Sequence, residues 1–189
     1  LMPDEPEARG LLALMLLTEA RRPARTADDG TLVPLPEQDR SRWDRRLVAE
    51  GHGLVRRSLR APRPGPFALQ AAIAAVHTGA ATAADTDWRA VLALYDQLLA
   101  LAPTPVVALN RAVALAEVEG PTAALALVDA LDLEGYYPYH AVRADLLRRL
   151  DRPQEAAVAY TAAAERTDNV AERAFLHRRL AELSGAQPG

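Results

Sequence analysis

The sequence predicts an all-α protein, in which a helical N-terminal segment continues into an α-α superhelix of about three tetratricopeptide-like helix pairs. Half of the residues are apolar but only 5% are aromatic, and Ala and Leu dominate. This composition favours helices that pack closely against other helices. No stretch alternates between apolar and polar residues in the manner of a half-buried strand. The second half of the chain also repeats itself at a period of about 34 residues, which is typical of helix-turn-helix arrays.

Residues 1–84 are predicted to form a helical domain. Asp4 and Glu7 have the spacing of a capping box, so a first helix is expected over about 5–22. Its apolar run, LLALMLL, leaves it apolar almost all round, and we therefore expect it to lie centrally.

A loop and two further helices complete the predicted N-terminal domain. Residues 23–40 contain an Asp29-Gly30 turn signal and are expected to form an ordered loop, with or without a short hairpin. Ser41 and Asp44 open a helix over about 42–60, which APRPGP ends. Its predicted inward stripe is Trp43, Leu47, Val48, Leu54, Val55 and Leu59. A third helix follows over about 66–78.

Residues 85–185 are predicted to form the tetratricopeptide-like region, and 186–189 a disordered tail. The dipeptides DW, PT and PQ open successive units at positions 87, 121 and 153. In such arrays one helix pair cannot bury its own apolar face, so neighbouring pairs stack. The predicted helices span 87–101, 104–118, 121–131, 138–150, 153–166 and 169–183.

Two octets show the repeat most clearly. RADLLRRL at 143–150 and RAFLHRRL at 173–180 agree at six of eight positions. We interpret them as the same helix in successive repeats, with Leu146, Leu150, Leu176 and Leu180 facing inwards. Their paired arginines are expected on a solvated face near a helix C-terminus, where positive charge suits the helix dipole.

Composition excludes several functional classes. The net charge is −3, and all 22 basic residues are Arg, which argues against a surface that neutralises phosphates along its whole length. The absence of Cys excludes disulfides and thiolate metal sites. The longest apolar run is far shorter than a membrane span. We expect a cytoplasmic protein without membrane contact, and the start at Leu1 suggests a piece of a longer protein.

Catalytic and metal-binding patterns are scarce. The four His residues have no helical ligand spacing, and Gly51-His52-Gly53 lacks both the third glycine and the preceding strand of a phosphate-binding loop. Asp85, Asp87 and His140 are the residues an enzyme hypothesis would use. The simpler interpretation is that Asp85 or Thr86 caps a helix. No catalytic residue, metal or cofactor is therefore predicted.

The predicted functional site is a partner-binding groove in the repeat region. Arg111, Arg143 and Arg173 recur in register on the second helix of successive repeats, and Asn110 precedes the first of them. Asn and Arg on a concave repeat surface can hold a carboxylate or a peptide backbone. Tyr139 is added to this groove because it belongs to an aromatic cluster, which is interpreted either as packing or as an interaction surface. That cluster comprises Tyr136, Tyr137, Tyr139 and His140.

The densest basic stretch lies at the end of the second predicted helix. It comprises Arg56, Arg57, Arg60 and Arg63. A solvated helix face and a nucleic-acid contact are both open interpretations. The first is favoured because no aromatic platform or DNA-reading helix accompanies the arginines.

Several segments, taken in order, resemble a known family. PDEPEARGLLALMLLTEARRPAR and LVPLPEQDRSRWDRRLVAEG are similar to the segment that follows the DNA-binding parts of certain bacterial RNA polymerase sigma factors. These are extracytoplasmic-function sigma factors with a long C-terminal extension. The resemblance continues through GPFALQAAIAAVH, DTDW, YDQLLALAPTPVVALNRAVALAEVEGP, YHAVRADLLRRL and AERAFLHRRLAEL, and spans nearly all of residues 2–183.

The resemblance implies a non-catalytic regulatory domain that modulates sigma activity in transcription initiation. Its implied partners are the sigma regions of the same full-length chain, the RNA polymerase core and a possible regulatory partner protein. DNA would be contacted only through sigma regions that are absent here, because no segment resembles a promoter-reading helix. The alternative is a free-standing tetratricopeptide-type adaptor that binds a peptide or partner protein in its groove.

Overall fold

The computed structural model describes residues 5–185, and nine α-helices lie within this range. No β-strand forms there, and an isolated antiparallel bridge pairs Thr26 with Leu32. The predicted all-α class is confirmed, and each predicted helix is present with both ends within three residues. The helices are α1 (Pro6–Glu19), α2 (Arg45–Ser58), α3 (Pro66–Gly79), α4 (Trp88–Leu101), α5 (Pro105–Val118), α6 (Pro121–Val128), α7 (Tyr137–Arg149), α8 (Pro153–Ala164) and α9 (Val170–Gly185).

The chain divides into two compact units. Unit 1 comprises residues 1–25 and 33–107, and unit 2 comprises residues 26–32 and 108–189. The division falls inside α5, further along the chain than the boundary predicted between residues 84 and 85. Helix α4 therefore belongs to unit 1, although the repeat pattern groups it with the helices that follow. The predicted tail at 186–189 lies outside the described residues.

In unit 1, α1 packs against both α2 and α3, and two glycines permit this close approach. A Cβ at Gly10 would lie 2.6 Å from the backbone nitrogen of Ala68 on α3. A Cβ at Gly51 would lie 2.7 Å from the Leu17 side chain. Gly51 thus serves helix packing, as its place on a predicted helix suggested. The core so formed is small and rich in alanine, and consists of Ala13, Leu17, Val55, Ala71 and Ala72.

The caps of α2 and α4 differ in part from those predicted. Of the predicted pair Ser41 and Asp44, Asp44 caps α2 by accepting hydrogen bonds from the backbone nitrogens of Arg46 and Leu47, at 2.9 and 3.0 Å. Asp87, not Asp85 or Thr86, caps α4. Both are N-cap side chains that satisfy otherwise unpaired donors in the first helical turn.

Glu7 caps a neighbouring helix instead of its own. Its carboxylate accepts hydrogen bonds from the backbone nitrogens of Phe67 (2.9 Å) and Ala68 (3.2 Å), at the start of α3. A carboxylate is favourable there because the helix N-terminus carries partial positive charge. The predicted capping box is thereby corrected for Glu7, and its other member, Asp4, lies outside the described residues.

The central position predicted for α1 holds for only part of its surface. Gly10, Ala13 and Leu17 are buried, whereas Leu11, Leu12 and Met15 are 38%, 46% and 59% exposed. In α2 the predicted inward stripe holds at Trp43 and Val55, which are buried, and fails at Leu59, which is 39% exposed. The exposed residues of α1 lie on the part of its surface that α2 and α3 do not cover.

In unit 2, consecutive helices from α6 to α9 pack in pairs around one continuous core, as expected for a helix-repeat region. Leu146 and Leu176 are buried and Leu150 and Leu180 half-buried, so the predicted inward face of the octets is confirmed. Alanines at the helix crossings let the helices approach closely. The most completely buried large side chains of this core include Leu109, Val128, Leu147 and Leu176.

Residues 26–32 form a tight hairpin-like turn that belongs to unit 2. Gly30 has φ +83°, and the Asp29 carboxylate accepts a hydrogen bond from the Thr31 nitrogen at 2.8 Å. Hydrogen bonds from the backbone and the side chain of Thr31 lower the pKa of Asp29. The predicted Asp29-Gly30 turn is confirmed. No helix in the part of the chain that the structure describes is long and apolar enough to cross a membrane.

Candidate functional site

The residues of the predicted partner-binding groove lie in unit 2, on helices α5, α7 and α9. Asn110 is exposed on α5, and Arg111 beside it is half-buried. Tyr139 and Arg143 are four residues apart on α7 and therefore share one helix face. Arg173 is exposed near the start of α9. The groove itself stays a prediction.

Arg143 is held in a defined position by an ion pair. Its Nε lies 2.7 Å from Oδ1 of Asp129, and both side chains are partly exposed. Tyr139 is only 7% exposed and packs edge-on against the His140 ring at 5.0 Å. Burial raises the pKa of Tyr139, which therefore stays neutral and contributes an apolar wall with one hydroxyl. Arg143 can offer a partner only the guanidinium edge that Asp129 does not occupy.

Arg173 lines a separate shallow hollow of about 500 Å³ between α8 and α9. Its Nη2 donates a hydrogen bond of 2.7 Å to the Thr167 carbonyl. The hollow is also lined by Glu165, His177 and Leu180. Glu165 places a carboxylate beside the arginine, so this hollow is less selective for anions than the recurrence of Arg suggests.

The aromatic cluster at the start of α7 is built into the repeat packing. The Glu134 carbonyl accepts hydrogen bonds from His140 Nε2 and from Arg166 Nε, both at 2.8 Å. Burial, together with a hydrogen bond to Glu172, raises the pKa of Tyr137. These contacts join α7 to the ends of α8 and α9. They favour the packing interpretation for His140 and Tyr137, whereas Tyr136 is 38% exposed.

The paired arginines of the two octets differ in their roles. Arg149 donates to Glu117 at 2.6 Å and to the Ala116 carbonyl at 3.2 Å, and so ties α7 to α5. Arg148 pairs with Asp145 on its own helix. Arg178 and Arg179 lie over the Phe175 ring at 5.5 and 5.2 Å. The prediction of a solvated face therefore describes Arg148 and Arg178 and misses the bracing role of Arg149.

The residues named for an enzyme hypothesis all have structural contacts. Asp85 accepts hydrogen bonds from the backbone and hydroxyl of Thr82, and Asp87 caps α4. Trp88 packs edge-on against His77 at 5.2 Å. Within residues 5–185, no three His, Asp or Glu residues are grouped so that they could hold a metal ion.

Unit 1 contains a groove that the sequence reasoning missed. It has a volume of about 720 Å³ and lies between α2 and the C-terminal end of α3. One wall consists of residues 78–81. The other consists of one face of α2 and two residues that precede this helix. Its residues are Arg40, Trp43, Arg45, Val48, Ala49, His52 and Arg56. We call this feature the α2 groove.

Hydrogen bonds fix the walls of the α2 groove. The Thr78 hydroxyl donates to the Ala74 carbonyl at 2.9 Å, so its oxygen accepts from His52 Nε2, also at 2.9 Å. Burial, followed by the charge of Arg56, lowers the pKa of His52 and favours this neutral form. Arg40 donates to the carbonyls of His77 (2.6 Å) and Ala80 (2.8 Å), and so closes the C-terminus of α3. Its guanidinium lies 4.6 Å from the Trp43 ring centre.

A helical spacing signal could have identified the α2 groove. Arg45, Val48, Ala49, His52 and Arg56 follow the i, i+3, i+4, i+7, i+11 pattern of one helix face. Arg56 was grouped with its sequence neighbours Arg57 and Arg60 as a basic stretch. That grouping ignored the fact that adjacent residues on a helix point in different directions.

Comparisons with known proteins match the chain to proteins that are themselves uncharacterised. An uncharacterised protein, R00370, of Rhizobium meliloti (strain 1021) is 44% identical over 190 residues, covering 100% of this chain. The chain spans 45% of that relative's length. No solved structure matches the chain. Residues 1–59, which include α1 and α2, match a protein family described as a family of unknown function, DUF6596.

Proposed function

We propose that this chain is a non-catalytic regulatory and interaction region of an alternative RNA polymerase sigma factor of the extracytoplasmic-function type. It would act in the cytoplasm through protein–protein contacts. Its partners would be the sigma regions of the same full-length chain, the polymerase core, or a separate regulatory protein. DNA would be contacted by the sigma regions and not by this region.

The sigma-factor assignment rests on the ordered resemblance described above. The family match over residues 1–59 falls on the segments that carry its first part, and that family occurs in sigma-factor-associated C-terminal regions. The relative of more than twice this length is compatible with a region that works beside further domains. These observations support a place in a sigma factor.

The interaction role rests on one structural observation, the exposed apolar face of α1. Leu11, Leu12 and Met15 lie at i, i+1 and i+4 on one side of the helix and are 38–59% exposed. Contiguous exposed apolar residues on one helix favour a protein–protein contact, because isolated domains seldom leave such surface in water. α1 begins in the segment that the resemblance places directly after the DNA-binding parts of a sigma factor.

The test is transcription in vitro with core polymerase and a promoter that the full-length protein recognises. The full-length protein is compared with a version that lacks this region and with a Leu12→Glu/Met15→Glu variant. We expect both changes to alter the transcript yield in the same direction. A Val158→Glu variant is the control, because Val158 is a 70% exposed apolar residue on a different helix, α8 of unit 2.

Two outcomes would contradict this proposal. If deletion of the region changes neither transcription nor binding to core polymerase, the sigma-factor role is wrong and the adaptor alternative gains. If deletion matters but the α1 variant behaves like the Val158 control, the α1 face is not the contact surface. Circular dichroism of each variant separates both outcomes from unfolding.

The predicted partner-binding groove in unit 2 needs a test of its own. Arg143 forms an ion pair with Asp129, so its substitution could act either through a partner or through the fold. We expect Arg143→Ala to weaken partner binding or transcription by about tenfold if its guanidinium contacts the partner. Asp129→Asn is the matched control, since it removes the same ion pair but leaves the arginine in place. Equal effects of the two substitutions would mean that the ion pair only supports the fold.

A further inference from the structure

The α2 groove of unit 1 has basic ends and an apolar middle. Arg45 and Arg56 are exposed at its two ends, while Val48, Ala49 and His52 lie between them, and the His52 ring is hydrogen-bonded to Thr78. None of the lining residues carries a carboxylate. A ligand in this groove would therefore meet positive charge at both ends and apolar surface in between.

The spacing of the two arginines sets the length of that ligand. They are eleven positions apart on one helix, which corresponds to about 16 Å along the axis at 1.5 Å per residue. A small anion could contact only one of them. The groove thus suits a chain molecule with two negative groups separated by this distance.

The charges of Arg45 and Arg56 are available for a ligand, whereas that of Arg40 is already used. Arg40 donates to two carbonyls at the end of α3 and lies over Trp43. The ion pairs formed within residues 5–185 do not include Arg45 or Arg56. Two exposed guanidinium groups beside one groove provide charge complementarity to an acidic partner.

We propose that the α2 groove binds an acidic amphipathic helix of a partner protein. Two carboxylates of that helix contact Arg45 and Arg56, and its apolar side chains lie on Val48 and Ala49. The lining residues recur every three to four positions on α2, which is the spacing that a second helix meets when it packs along the first. This site goes beyond the proposed function and does not depend on the sigma-factor assignment.

Nucleic acid fits the same groove less well. A nucleic-acid strand carries one phosphate per about 3.4 Å, so an apolar stretch between two arginines would leave several phosphates without a cation. The Trp43 ring is only 6% exposed and is covered by Arg40, so it offers no face for base stacking. An acidic helix needs only two well-separated charges.

The experiment measures binding of a fluorescein-labelled helical peptide to the whole 189-residue chain by fluorescence anisotropy. The peptide carries two Glu residues eleven positions apart, with Leu residues between them on the same face, and a sister peptide has Gln at both positions. We expect saturable binding of the Glu peptide that weakens with added salt, and binding at least about tenfold weaker for the Gln peptide.

Matched variants of the chain locate the site. Arg45→Glu/Arg56→Glu reverses the charges of the groove, whereas Arg46→Glu/Arg57→Glu makes the same change at exposed neighbours that do not line it. We expect the first pair to weaken binding at least about tenfold and the second less than about twofold. A peptide with Lys in place of both Glu residues should in turn bind the Arg45→Glu/Arg56→Glu chain.

Three results would overturn the proposal. They are the absence of saturable binding at millimolar peptide, equal losses from the two arginine pairs, and failure of the Lys peptide to restore binding to the charge-reversed chain. A DNA duplex that competes with the peptide and depends equally on all four arginines would instead assign this face to phosphate contacts. Circular dichroism of both variants confirms that the helices are retained.

Discussion

Units 1 and 2 are both helical, but they differ in net charge and in the surroundings of some of their arginines. Unit 1 has 13 Arg against 11 acidic residues, a net charge of +2, whereas unit 2 has 9 against 14, a net charge of −5. In unit 2, arginines hold helices together, as Arg143 does with Asp129 and Arg149 with Glu117. In unit 1, Arg45 and Arg56 stand beside a groove. Arginines with a structural role occur in both units, since Arg40 in unit 1 also donates to two carbonyls of α3. The contrast is between Arg143 and Arg149, which form ion pairs, and Arg45 and Arg56, which are exposed beside a groove.

The two units also differ in how completely their buried polar groups are hydrogen-bonded. Four buried side-chain polar atoms lack a hydrogen-bond partner within residues 5–185, and all four lie in unit 1. They are Arg21 Nε, Gln38 Oε1, Trp43 Nε1 and Ser58 Oγ. Buried polar groups that lack a hydrogen bond within the protein cost free energy. The interior of unit 1 therefore has the less complete set of internal hydrogen bonds, and that of unit 2 the more complete one.

The largest effect that we expect comes from the close approach of α1 to α3. Gly10→Ala would place a methyl group 2.6 Å from the Ala68 backbone nitrogen, which cannot move without separating the helices. We expect it to lower the free energy of unfolding of unit 1 by about 3 kcal/mol. Urea unfolding followed by tryptophan fluorescence measures this, because both Trp residues, 43 and 88, lie in unit 1.

A second glycine provides the control for this prediction. A Cβ at Gly53 would lie 3.7 Å from its nearest neighbour, the tip of the Arg57 side chain. Gly53→Ala should therefore raise the free energy of unfolding by up to about 1 kcal/mol through helix propensity. If both alanine variants unfold at the same urea concentration as the parent chain, α1 and α3 are not in close contact in solution.

Acid should weaken unit 1 through His77. Burial, followed by the charges of Arg21 and Arg40, lowers the pKa of His77 from 6.5 to about 4. The unfolded chain therefore binds more protons than the folded one between these values. Stability present above pH 6.5 is lost as the pH falls towards 4, by about 3 kcal/mol in total.

The measurement compares urea unfolding at pH 7 and pH 4.5 by tryptophan fluorescence. In His77→Phe the ring contact with Trp88 is kept but the titrating group is removed, so the loss between the two pH values should shrink. A variant with an unchanged loss would show that carboxylates, and not His77, govern the acid sensitivity of unit 1.

Sequence patterns predicted the helices well because each pattern is local. The period of apolar residues and the Pro or Gly residues between helices lie within one element, so all nine helices were expected from the sequence. Caps were predicted less well. Glu7 has the spacing to cap α1, but the fold brings it to the N-terminus of α3, sixty residues away along the chain.

The candidate sites show the same limit. Recurrence in register selected Arg143, yet only the fold reveals that Asp129 occupies part of its guanidinium. Helical spacing predicts the wall of the α2 groove that α2 forms. The other wall consists of residues 78–81, and no pattern in the sequence predicts that these residues lie beside α2. Whether an arginine braces or binds depends on where acidic residues from other helices lie.

The smallest effect that we predict tests whether an arginine supports the fold or is free to bind a partner. Arg149 is 27% exposed in its side chain and joins α7 to Glu117 and the Ala116 carbonyl of α5. Arg149→Met keeps much of the apolar stem but removes these hydrogen bonds, and should lower the free energy of unfolding of unit 2 by about 1 kcal/mol. Because unit 2 has no tryptophan, amide hydrogen exchange in α5 and α7 is the suitable measurement.

Arg45→Met is the matched substitution in unit 1. Arg45 is exposed and makes no ion pair within the described range, so its replacement should leave the unfolding of unit 1 unchanged while weakening the acidic peptide. A stability loss at Arg45 as large as that at Arg149 would remove the contrast between the two units, because the arginines of both would then be structural. Loss of stability at Arg149 alone, with loss of binding at Arg45 alone, would support the assignment of the scaffold to unit 2 and of the contact surface to unit 1.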